Sequence, residues 1–517
     1  MIKSKKTSQL LNQLNSFNYS FFIFIIIGLF TRFYNLPTRL YFLWDNGRDA
    51  WAIHRIAQGD LALIGHTSGI QGFFLGPAWF YLGTLGHLLG NGSPWIMSYW
   101  YITVTALSLP LFWILSHQLF QDKKLAKLTA FLLLLAPASL RWSSFVWNPM
   151  ITIPLIAGAY YCLLQARKSR HFLVFSFFLL ALSLQFEFAY AVFLVFPLYL
   201  LIFWLRGKFN WRDYLYSGLA IGITLTPQLL FELRNKFIMT QSLFQALGDK
   251  SKSIPYLQLW QTRPLQLFET TKVQLFGHTT LTKLSMLLII FVFGYGLSLI
   301  LTNRLKKKEK FAWQLSYLLV LLPYSLFLLW RGNEGNFFDY YLTPHFVLLI
   351  PTIVLTLQYM INKEKWLVFK KISIAKLIAL FLLLSFSWGS LVEIKNTILF
   401  VDNQAGIKVM SQAVTQLYTW SDEDGQTQPV FRIFTPNRET EHYDYLSFWQ
   451  AKRQARPVPL TQRAGTEAYW YILIEPDHEF PPEVRFDPWY KEATKNGELL
   501  RKQKVGVLEL ETWKLNK

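Results

Sequence analysis

Charged residues are scarce in this sequence: Asp, Glu, Lys and Arg make up 16% of its 517 residues. Soluble chains carry about a quarter charged residues, so this composition excludes an ordinary soluble globular protein. Hydrophobic residues account for 52% of the chain, and many of them stand in uninterrupted runs of membrane-spanning length. The sequence therefore predicts a mainly α-helical, polytopic membrane protein for which the bilayer is the main solvent.

Acidic residues are fewer than basic ones, 31 against 51, which gives a formal net charge of +20. The Lys and Arg residues cluster in short segments between apolar runs, as signals of membrane orientation do. Because this clustering accounts for the positive charge, no nucleic-acid partner is predicted.

Cysteine and the common catalytic motifs are also nearly absent. The single Cys162 lies in an apolar run, so it cannot form an internal disulfide, and we interpret it as a small buried hydrophobe. Residues 395–517 contain no Gly-rich phosphate loop, no HExxH motif and no Cys cluster. No internal repeat is evident anywhere in the chain.

Eleven apolar runs are long enough to cross a membrane, which takes about twenty residues. They are 18–34, 95–116, 126–141, 150–166, 172–186, 188–205, 213–231, 280–301, 312–330, 341–361 and 375–394. The first run follows the basic segment KSKK and lacks a small-residue cleavage site. This pattern predicts an uncleaved signal-anchor with its N-terminus in the cytoplasm.

Five basic connectors join these runs, and the positive-inside rule places each of them in the cytoplasm. They are QDKKLAK (121–127), ARKSRH (166–171), RGKFNWRD (206–213), NRLKKKEK (303–310) and NKEKWLVFKK (362–371). Two consecutive cytoplasmic connectors must enclose an even number of crossings. The run 172–205 is therefore predicted to be a hairpin with Glu187 at its outer tip. The same parity makes residues 73–89 an interfacial or re-entrant segment.

The predicted topology gathers polar segments on the outer face of the membrane. They are DNGRD (45–49), the turn 141–149, Glu187, the long loop 232–279 and the segment 331–341. Residues 1–394 form the predicted membrane domain, and residues 395–517 form a small extracytoplasmic α/β domain. Its strand-length runs are 430–436, 469–476 and 505–513, with helix-like stretches around 404–418 and 443–454.

The segment LYFLWDNGRDAWA (40–52) places three charges in an aromatic, interface-like context. Ionisable groups at a membrane are costly and are usually kept for a task. A carboxylate beside a cation suits sugar transfer from a lipid-phosphate donor. The carboxylate takes a proton from the acceptor hydroxyl, and the cation stabilises the leaving phosphate. Asp45 is the predicted base, with Arg48, Arg141 or Arg331 available for the phosphate.

The first outer segment resembles that of the GT-C superfamily of integral-membrane glycosyltransferases. LYFLWDNGRDAWAIHRIAQGD followed by GFFLGPAWFYLGTLGHLLG is similar to the branch that contains protein O-mannosyltransferases and lipid A aminoarabinose transferases. In that branch the loop carries an acidic pair, then Arg and an aromatic residue, then a Pro-rich stretch. The resemblance extends over most of residues 1–400. Members of the family have their membrane helices first and an extracytoplasmic domain last, which is also the predicted order in this chain.

The resemblance implies roles for individual residues. Asp45 matches the acid used as catalytic base or acceptor-orienting group, and Arg48 matches the arginine. LLLLAPASLRWSSFVWNPMITIPLI places Arg141 and Asn148 at polar positions of the family's second outer loop, which implies a phosphate contact for Arg141. FFDYYLTP, which contains Asp339 and Tyr340, looks like a late outer loop; Asn148, Asp339 and Tyr340 are accordingly expected to contact the acceptor or sugar.

The sequence departs from the family pattern at three places. Asn46 replaces the second acid of the pair, no basic residue immediately precedes Gly76-Pro77, and Glu187 stands where His is more usual. Asp49 is an alternative second carboxylate, which shares a helix face with Asp45 only if the segment is helical. Asp45, Asp49 and Glu187 are thus the candidate catalytic residues.

The resemblance implies an inverting, single-displacement transfer without a cofactor or an obligatory metal. The expected partners are a polyprenyl-phosphate sugar, membrane lipid, and a glycan, lipid or protein acceptor. A transporter or flippase of lipid-linked glycans is the alternative, although such proteins usually show internal repeats and charges near the bilayer midplane. A polymerase or ligase of lipid-linked glycans is a third hypothesis. It would be expected to have a larger polar outer loop than RGNEGNFFD.

Overall fold

A computed structural model describes residues 19–206, 210–248, 254–279, 282–331, 335–363, 367–368, 372–399, 406–461 and 468–515. The predicted cytoplasmic segment KSKK lies outside these residues, as do parts of the connectors 206–213 and 362–371 and of the loop 232–279.

Helices coincide with all eleven of the predicted crossings. The helices up to residue 399 are α1 (Tyr19–Phe33), α2 (Leu36–Arg39), α3 (Trp44–Ala57), α4 (Ala78–Leu89), α5 (Pro94–Thr105), α6 (Ser108–Leu119), α7 (Lys123–Leu135), α8 (Pro137–Arg141), α9 (Thr152–Gln165), α10 (Arg170–Ser183), α11 (Phe188–Arg206), α12 (Trp211–Arg234), α13 (Ile238–Gly248), α14 (Tyr256–Phe276), α15 (Thr282–Leu301), α16 (Lys307–Leu329), α17 (Phe346–Lys363) and α18 (Ile374–Ile394). Two short strands, β1 (Leu367–Val368) and β2 (Ile372–Ser373), pair antiparallel.

Six helical segments of the described chain are long and apolar enough to cross a bilayer, by length and composition. They are Pro94–Leu119, Trp211–Arg234, Thr282–Leu301, Lys307–Leu329, Phe346–Lys363 and Ile374–Leu399. Shorter apolar helices begin at Tyr19, Arg170 and Phe188. The chain is a multi-pass membrane protein. The count of eleven crossings and their orientation remain predictions.

Polar side chains mark where several of the apolar helices begin. Ser93 caps α5, Asp122 caps α7, Ser169 caps α10 and Ser373 caps α18, each accepting a bond from a backbone N–H of the first turn. An N-terminal cap of this kind contributes about 1 kcal/mol to helix stability. The position at which these helices begin is therefore determined by local capping residues. The apolar residues that follow stabilise the remainder of each helix through burial.

The connection between α1 and α5, residues 34–93, is named here the first loop. It contains α2, α3 and α4, and an isolated antiparallel bridge joins Thr67 to Phe74. Helix α4 falls within the predicted interfacial segment 73–89 and has 12 residues. At 1.5 Å per residue it is about 18 Å long, shorter than the roughly 30 Å hydrocarbon core of a bilayer.

The long loop predicted at 232–279 is largely helical in the structure, because α13 and α14 both lie within it. Helix α14 has 21 residues, but polar side chains are spread along its whole length. A search for apolar runs therefore passes over it. It packs against α8, α16 and α18, and this packing stabilises a helix that its own composition does not mark.

Residues 406–515 form the α/β domain. Its elements are α19 (Ile407–Glu423), β3 (Phe431–Phe434), α20 (Glu441–Arg453), β4 (Tyr469–Ile474), α21 (Phe486–Ala493), β5 (Gly497–Val505) and β6 (Leu508–Leu515). The sheet order is β3-β4-β6-β5, with β3 and β4 parallel and the other pairs antiparallel. The predicted strand 505–513 was wrong at its start, since residues 506–507 form the turn of the β5–β6 hairpin.

The α/β domain and the first loop share one hydrophobic core. Ile53 and Trp79 on one side pack in the same buried cluster as Tyr445 and Leu446 on the other. The Tyr445 hydroxyl donates to the carbonyl of Gly92 at 2.9 Å. The α/β domain is thus joined to the first loop by core packing and not only by a linker.

Candidate active site

Helix α3 carries the three charges of the DNGRD motif on one helix. The side-chain oxygen of Asn46 accepts a bond from the backbone N–H of Leu43 at 2.9 Å, which helps to start the helix. Asp45 lies in the first turn, where a negative charge is favoured by the helix dipole. Because the segment is helical, Asp45 and Asp49 are one turn apart and both reach Arg48.

Arg48 forms an ion pair with each of the two carboxylates. Its guanidinium nitrogens lie 2.7 Å from Asp45 Oδ1 and 2.8 Å from Asp49 Oδ1. The other oxygen of Asp49 accepts a bond from the indole N–H of Trp79 at 2.8 Å. Trp79 in turn stacks on Tyr101, with ring centroids 3.8 Å apart. Asp49 is fully buried, whereas the Asp45 side chain is 21% exposed.

Asp45 and Arg48 open into a cavity of about 520 Å³ between the first loop, the α10–α11 connection, Trp330 and residues 338–341. Four more of its lining residues carry polar groups suited to a ligand: His66, Asn148, Glu187 and Tyr340. Aromatic and aliphatic side chains form much of the remaining wall: Trp44, Ile70, Phe73, Leu75, Trp147, Phe188, Val192, Phe193, Leu243, Trp330 and Phe338. The cavity, named here the α3 cavity, thus combines one charged wall and several polar groups with a largely apolar lining.

Burial changes the proton affinity of the acids in and beside the α3 cavity. Burial raises the pKa of Asp45, although Arg48 opposes the shift. The pKa of Asp49 is also raised by burial against the same arginine. Burial acts to lower the pKa of Arg48, but Asp49 and Asp45 together raise it. Arg48 therefore stays charged, held by two carboxylates.

Glu187 lies in the connection between α10 and α11 and lines the same cavity. Burial raises the pKa of its carboxyl to about 8, opposed by the backbone N–H groups of Ala189 and Tyr190. One carboxyl oxygen accepts a bond from the N–H of Ala189 at 3.0 Å. At neutral pH Glu187 therefore holds a proton.

The first loop lies directly against this connection at Gly76. A Cβ atom at Gly76 would overlap the side-chain amide of Gln185. That amide donates to the carbonyl of Thr224 at 2.7 Å and also contacts Gln228, which fixes its position. A larger residue at position 76 would therefore displace the Gln185 amide from these bonds, and the contact places the first loop beside the connection that carries Glu187.

Three other predicted site residues lie in different surroundings. Arg141 is outside the cavity lining and pairs with Glu393 of α18 at 3.4 Å. Asp339 is exposed at the start of a short 3₁₀ helix (Asp339–Leu342) and is not part of the lining. Arg331 donates to the carbonyl of Ile254 at 3.0 Å.

Asn148 and Tyr340 both line the α3 cavity. The amide of Asn148 donates to the carbonyl of Phe186, next to Glu187, and its Oδ1 finds no partner among the described residues. The Tyr340 ring lies 4.6 Å from that of Trp147. Five of the nine predicted residues are thus brought together, with Asp49 directly behind them.

His66 is a lining residue that the sequence analysis missed. Its Nδ1 is buried without a partner in the described part of the chain. Burial lowers the pKa of its imidazole to about 4, with Arg48 acting in the same direction, so it is neutral at pH 7. The available signal was its place in GHTSG, a polar stretch that three residues separate from the apolar FFLGP. No described group of three or more His, Cys, Asp or Glu residues is arranged to hold a metal.

The fold has known counterparts, although no family model and no curated protein matches the sequence. ArnT from Cupriavidus metallidurans, in a crystal structure bound to undecaprenyl phosphate, is 12% identical with a TM-score of 0.57. The match covers 95% of this chain and 97% of that one. This chain has the GT-C fold.

Two further solved structures give similar matches. The apo state of the same ArnT is 12% identical with a TM-score of 0.56, again over 95% of this chain and 97% of that one. An oligosaccharyltransferase from Archaeoglobus fulgidus, crystallised with Zn and sulfate, is 13% identical with a TM-score of 0.47 over 95% and 72%. The predicted resemblance to the GT-C fold is confirmed by the ArnT matches.

Proposed function

We propose that this protein is a glycosyltransferase that moves a sugar from a polyprenyl-phosphate donor to an acceptor hydroxyl at the outer face of the membrane. The observation that carries the proposal is the ion pair of Asp45 and Arg48 at the wall of the α3 cavity. The match to an ArnT structure bound to undecaprenyl phosphate supports a lipid-phosphate ligand in a fold of this kind.

The proposed reaction is a single displacement. The Asp45 carboxylate takes the proton from the acceptor hydroxyl as the oxygen attacks the anomeric carbon. The bond from that carbon to the phosphate oxygen breaks, and the phosphate leaves with the bonding electrons. Attack opposite the leaving group inverts the anomeric centre.

Arg48 is the proposed phosphate-binding cation. When Asp45 takes up the proton it becomes neutral, so its attraction for Arg48 falls at the moment when the phosphate gains negative charge. The cation is then free to stabilise the leaving group, while Asp49 keeps the guanidinium in place through its 2.8 Å contact. Groups that stabilise developing charge in this way contribute about 10² to 10³ in rate.

Glu187 is proposed to supply a proton or a hydrogen bond to the leaving phosphate, since it is protonated at neutral pH. Asn148 and Tyr340 are proposed to contact the sugar or acceptor from the facing wall. Phosphate binding by Arg141 and acceptor contact by Asp339 remain predictions, because neither side chain lines the cavity.

The test is sugar transfer by membranes that contain matched amounts of the native chain or of Asp45→Asn, assayed with a panel of polyprenyl-phosphate sugars. Asparagine keeps the shape of the side chain and removes the base, so transfer is expected to fall by about 10² to 10⁴. Asp60→Asn, an exposed acid of the same loop, is the matched control and is expected to keep full activity. Unchanged transfer in Asp45→Asn would remove Asp45 from the mechanism.

A further inference from the structure

A second cavity, of about 540 Å³, lies between the α/β domain and the end of the first loop. Its walls come from α5, α19, α20 and β5, and we name it the α19–α20 groove. The lining residues are Trp95, Lys408, Ser411, Gln412, Thr415, Gln416, Trp449, Gln450, Arg453, Gln454, Gln503 and Val505. None of the roles considered above uses any of them.

The chemistry of the α19–α20 groove is unusual for a crevice between packed helices. Five of its lining side chains are glutamines, two are tryptophans, two are cations, and no carboxylate is among them. Side-chain amides both donate and accept hydrogen bonds. A surface that combines amides with aromatic faces fits a ligand with many hydroxyl groups and apolar ring faces, which describes a carbohydrate.

The hydrogen-bonding capacity of the groove is largely unused by the described protein. The Gln450 amide is engaged, since it donates to the carbonyl of Ser411 at 2.9 Å and accepts from the Thr415 hydroxyl at 3.3 Å. The side-chain amides of Gln412, Gln416 and Gln503 have no partner among the described residues. The Ser411 hydroxyl is buried and likewise finds none there.

The two cations stand at the exposed part of the groove. Lys408 and Arg453 both face solvent, and the Arg453 guanidinium lies 5.7 Å from the centre of the Trp449 ring. With no acid nearby in the lining, this arrangement favours a glycan that carries phosphate or carboxylate groups. An apolar peptide or a lipid tail would leave the amides without partners, at a cost for each desolvated group.

Helix α20 connects this groove to the catalytic helix. The N-terminal end of α20 contacts α3 at Gly47, where a Cβ atom would overlap the backbone of Glu441 and His442. The groove begins near Trp449 and Gln450 on the same helix. Eight residues separate His442 from Gln450, and at 1.5 Å per residue the distance along the helix is about 12 Å. The groove therefore lies on the helix that packs against α3.

We propose that the α19–α20 groove binds the carbohydrate part of an acceptor glycan. The word acceptor rests on the proposed function, whereas carbohydrate binding by the groove does not.

The test uses the purified full chain in nanodiscs and oligosaccharides released by mild acid from the envelope of the organism that encodes it. The oligosaccharides are fluorescently labelled, and those retained by the native chain are titrated. Gln412→Ala combined with Gln416→Ala is expected to weaken retention at least about tenfold, as is Trp449→Ala, while Trp449→Phe keeps a ring face and retains more. Because the glutamine pair lies at the surface, its loss is expected to spare folding.

Neighbouring residues of α20 provide the charge control. Arg453→Gln is expected to weaken retention of the anionic fraction, and Lys452→Gln, an exposed cation outside the groove, is expected to leave it unchanged. Retention of no oligosaccharide by the native chain, or equal retention by all variants, would overturn the proposal.

Failure of the groove and failure of the proposed function give different results. If Asp45→Asn abolishes transfer while the groove variants retain oligosaccharides normally, only the groove proposal is wrong. If the native chain retains oligosaccharides through the groove but transfers no sugar, the groove binds carbohydrate and the enzymatic proposal is the one contradicted.

Discussion

Asp45 and Asp49 bind the same arginine but differ in what else they contact. Asp49 is buried and receives the indole N–H of Trp79, so both of its oxygens are occupied. Asp45 is partly exposed and faces the cavity. The two acids therefore suit different tasks, one positioning Arg48 and the other meeting the acceptor.

Glu187 is expected to give the enzyme an alkaline limit. Its folded-state pKa of about 8 means that the proton is lost as the pH rises through that value. Transfer is expected to fall above about pH 8, and Glu187→Gln, which stays neutral, is expected to lose this limb of the pH profile. The measurement is initial rate against pH for both chains. A profile with the same limb in the variant would assign it to another group.

The same group has a consequence for stability, with the sign set by the raised pKa. An unfolded glutamate ionises near its ordinary value of 4.5, whereas the folded one holds its proton to about 8. The unfolded state therefore binds fewer protons in this interval, and the free energy of unfolding falls as the pH rises from about 4.5 to about 8. Thermal unfolding should be measured at pH 6 and pH 9. The decrease in stability between these two pH values should be smaller for Glu187→Gln than for the native chain.

The predictability of individual site residues depended on their surroundings in sequence. Asp45 and Arg48 stood out because charges in an aromatic, apolar context are costly unless they have a use. His66 did not stand out in this way, because its immediate neighbours in GHTSG are themselves polar or glycine. The partner of Arg141 could not be predicted, because Glu393 is 252 residues away along the chain. Contacts of that range follow from helix packing, which the sequence pattern does not contain.

At the scale of elements, α3 is held in place by α20 through Gly47. The contact has no space for a side chain, so Gly47→Ala must push the two helices apart. Overpacking of this kind usually costs about 1 to 3 kcal/mol. Sugar transfer is expected to fall at least about tenfold, since a shift of about 1 Å in a catalytic group can cost 10² in rate.

The matched control for this substitution is Gly222→Ala in α12. Nothing lies within 4 Å of a Cβ atom at Gly222, so alanine fits there and favours the helix. Activity assays and unfolding curves of the two variants should therefore diverge. Native activity in Gly47→Ala would show that the position of α3 does not depend on α20.

Elements in the bilayer were more predictable than those outside it. A segment that crosses lipid must be a long apolar helix, so an apolar run such as 280–301 can be recognised as a helix from the sequence alone. Helix α14 and strand β5 contain no apolar run of this kind. Strand β5 is an edge strand with mostly exposed residues, and its pairing with β6 sets its structure more than its own pattern does.

At the scale of the whole molecule, the predicted boundary at residues 394 and 395 separates two chain segments that share a core. The first loop supplies α3, and the α/β domain covers one side of this loop. If the shared core maintains the conformation of the first loop, a destabilising substitution in the α/β domain should alter the α3 cavity. It should do so although none of the residues that line the cavity is changed.

Tyr445 allows this coupling to be measured. It is fully buried, packs its ring 5.3 Å from that of Trp51, and bonds to the carbonyl of Gly92. Removing a buried aromatic ring costs about 3 to 5 kcal/mol, so Tyr445→Ala is expected to loosen the first loop. Trypsin should then cleave after the exposed Arg55, and sugar transfer should fall in parallel.

Two control variants separate this coupling from general damage to the α/β domain. Tyr445→Phe keeps the ring and loses one hydrogen bond, worth about 0.5 to 1.5 kcal/mol, so cleavage should stay close to that of the native chain. Trp489→Ala opens the separate cluster around Phe434, on the side of the sheet that does not meet the first loop. It should leave Arg55 protected. Equal cleavage in Tyr445→Ala and Trp489→Ala would mean that the first loop responds to loss of the whole domain and not to the shared core.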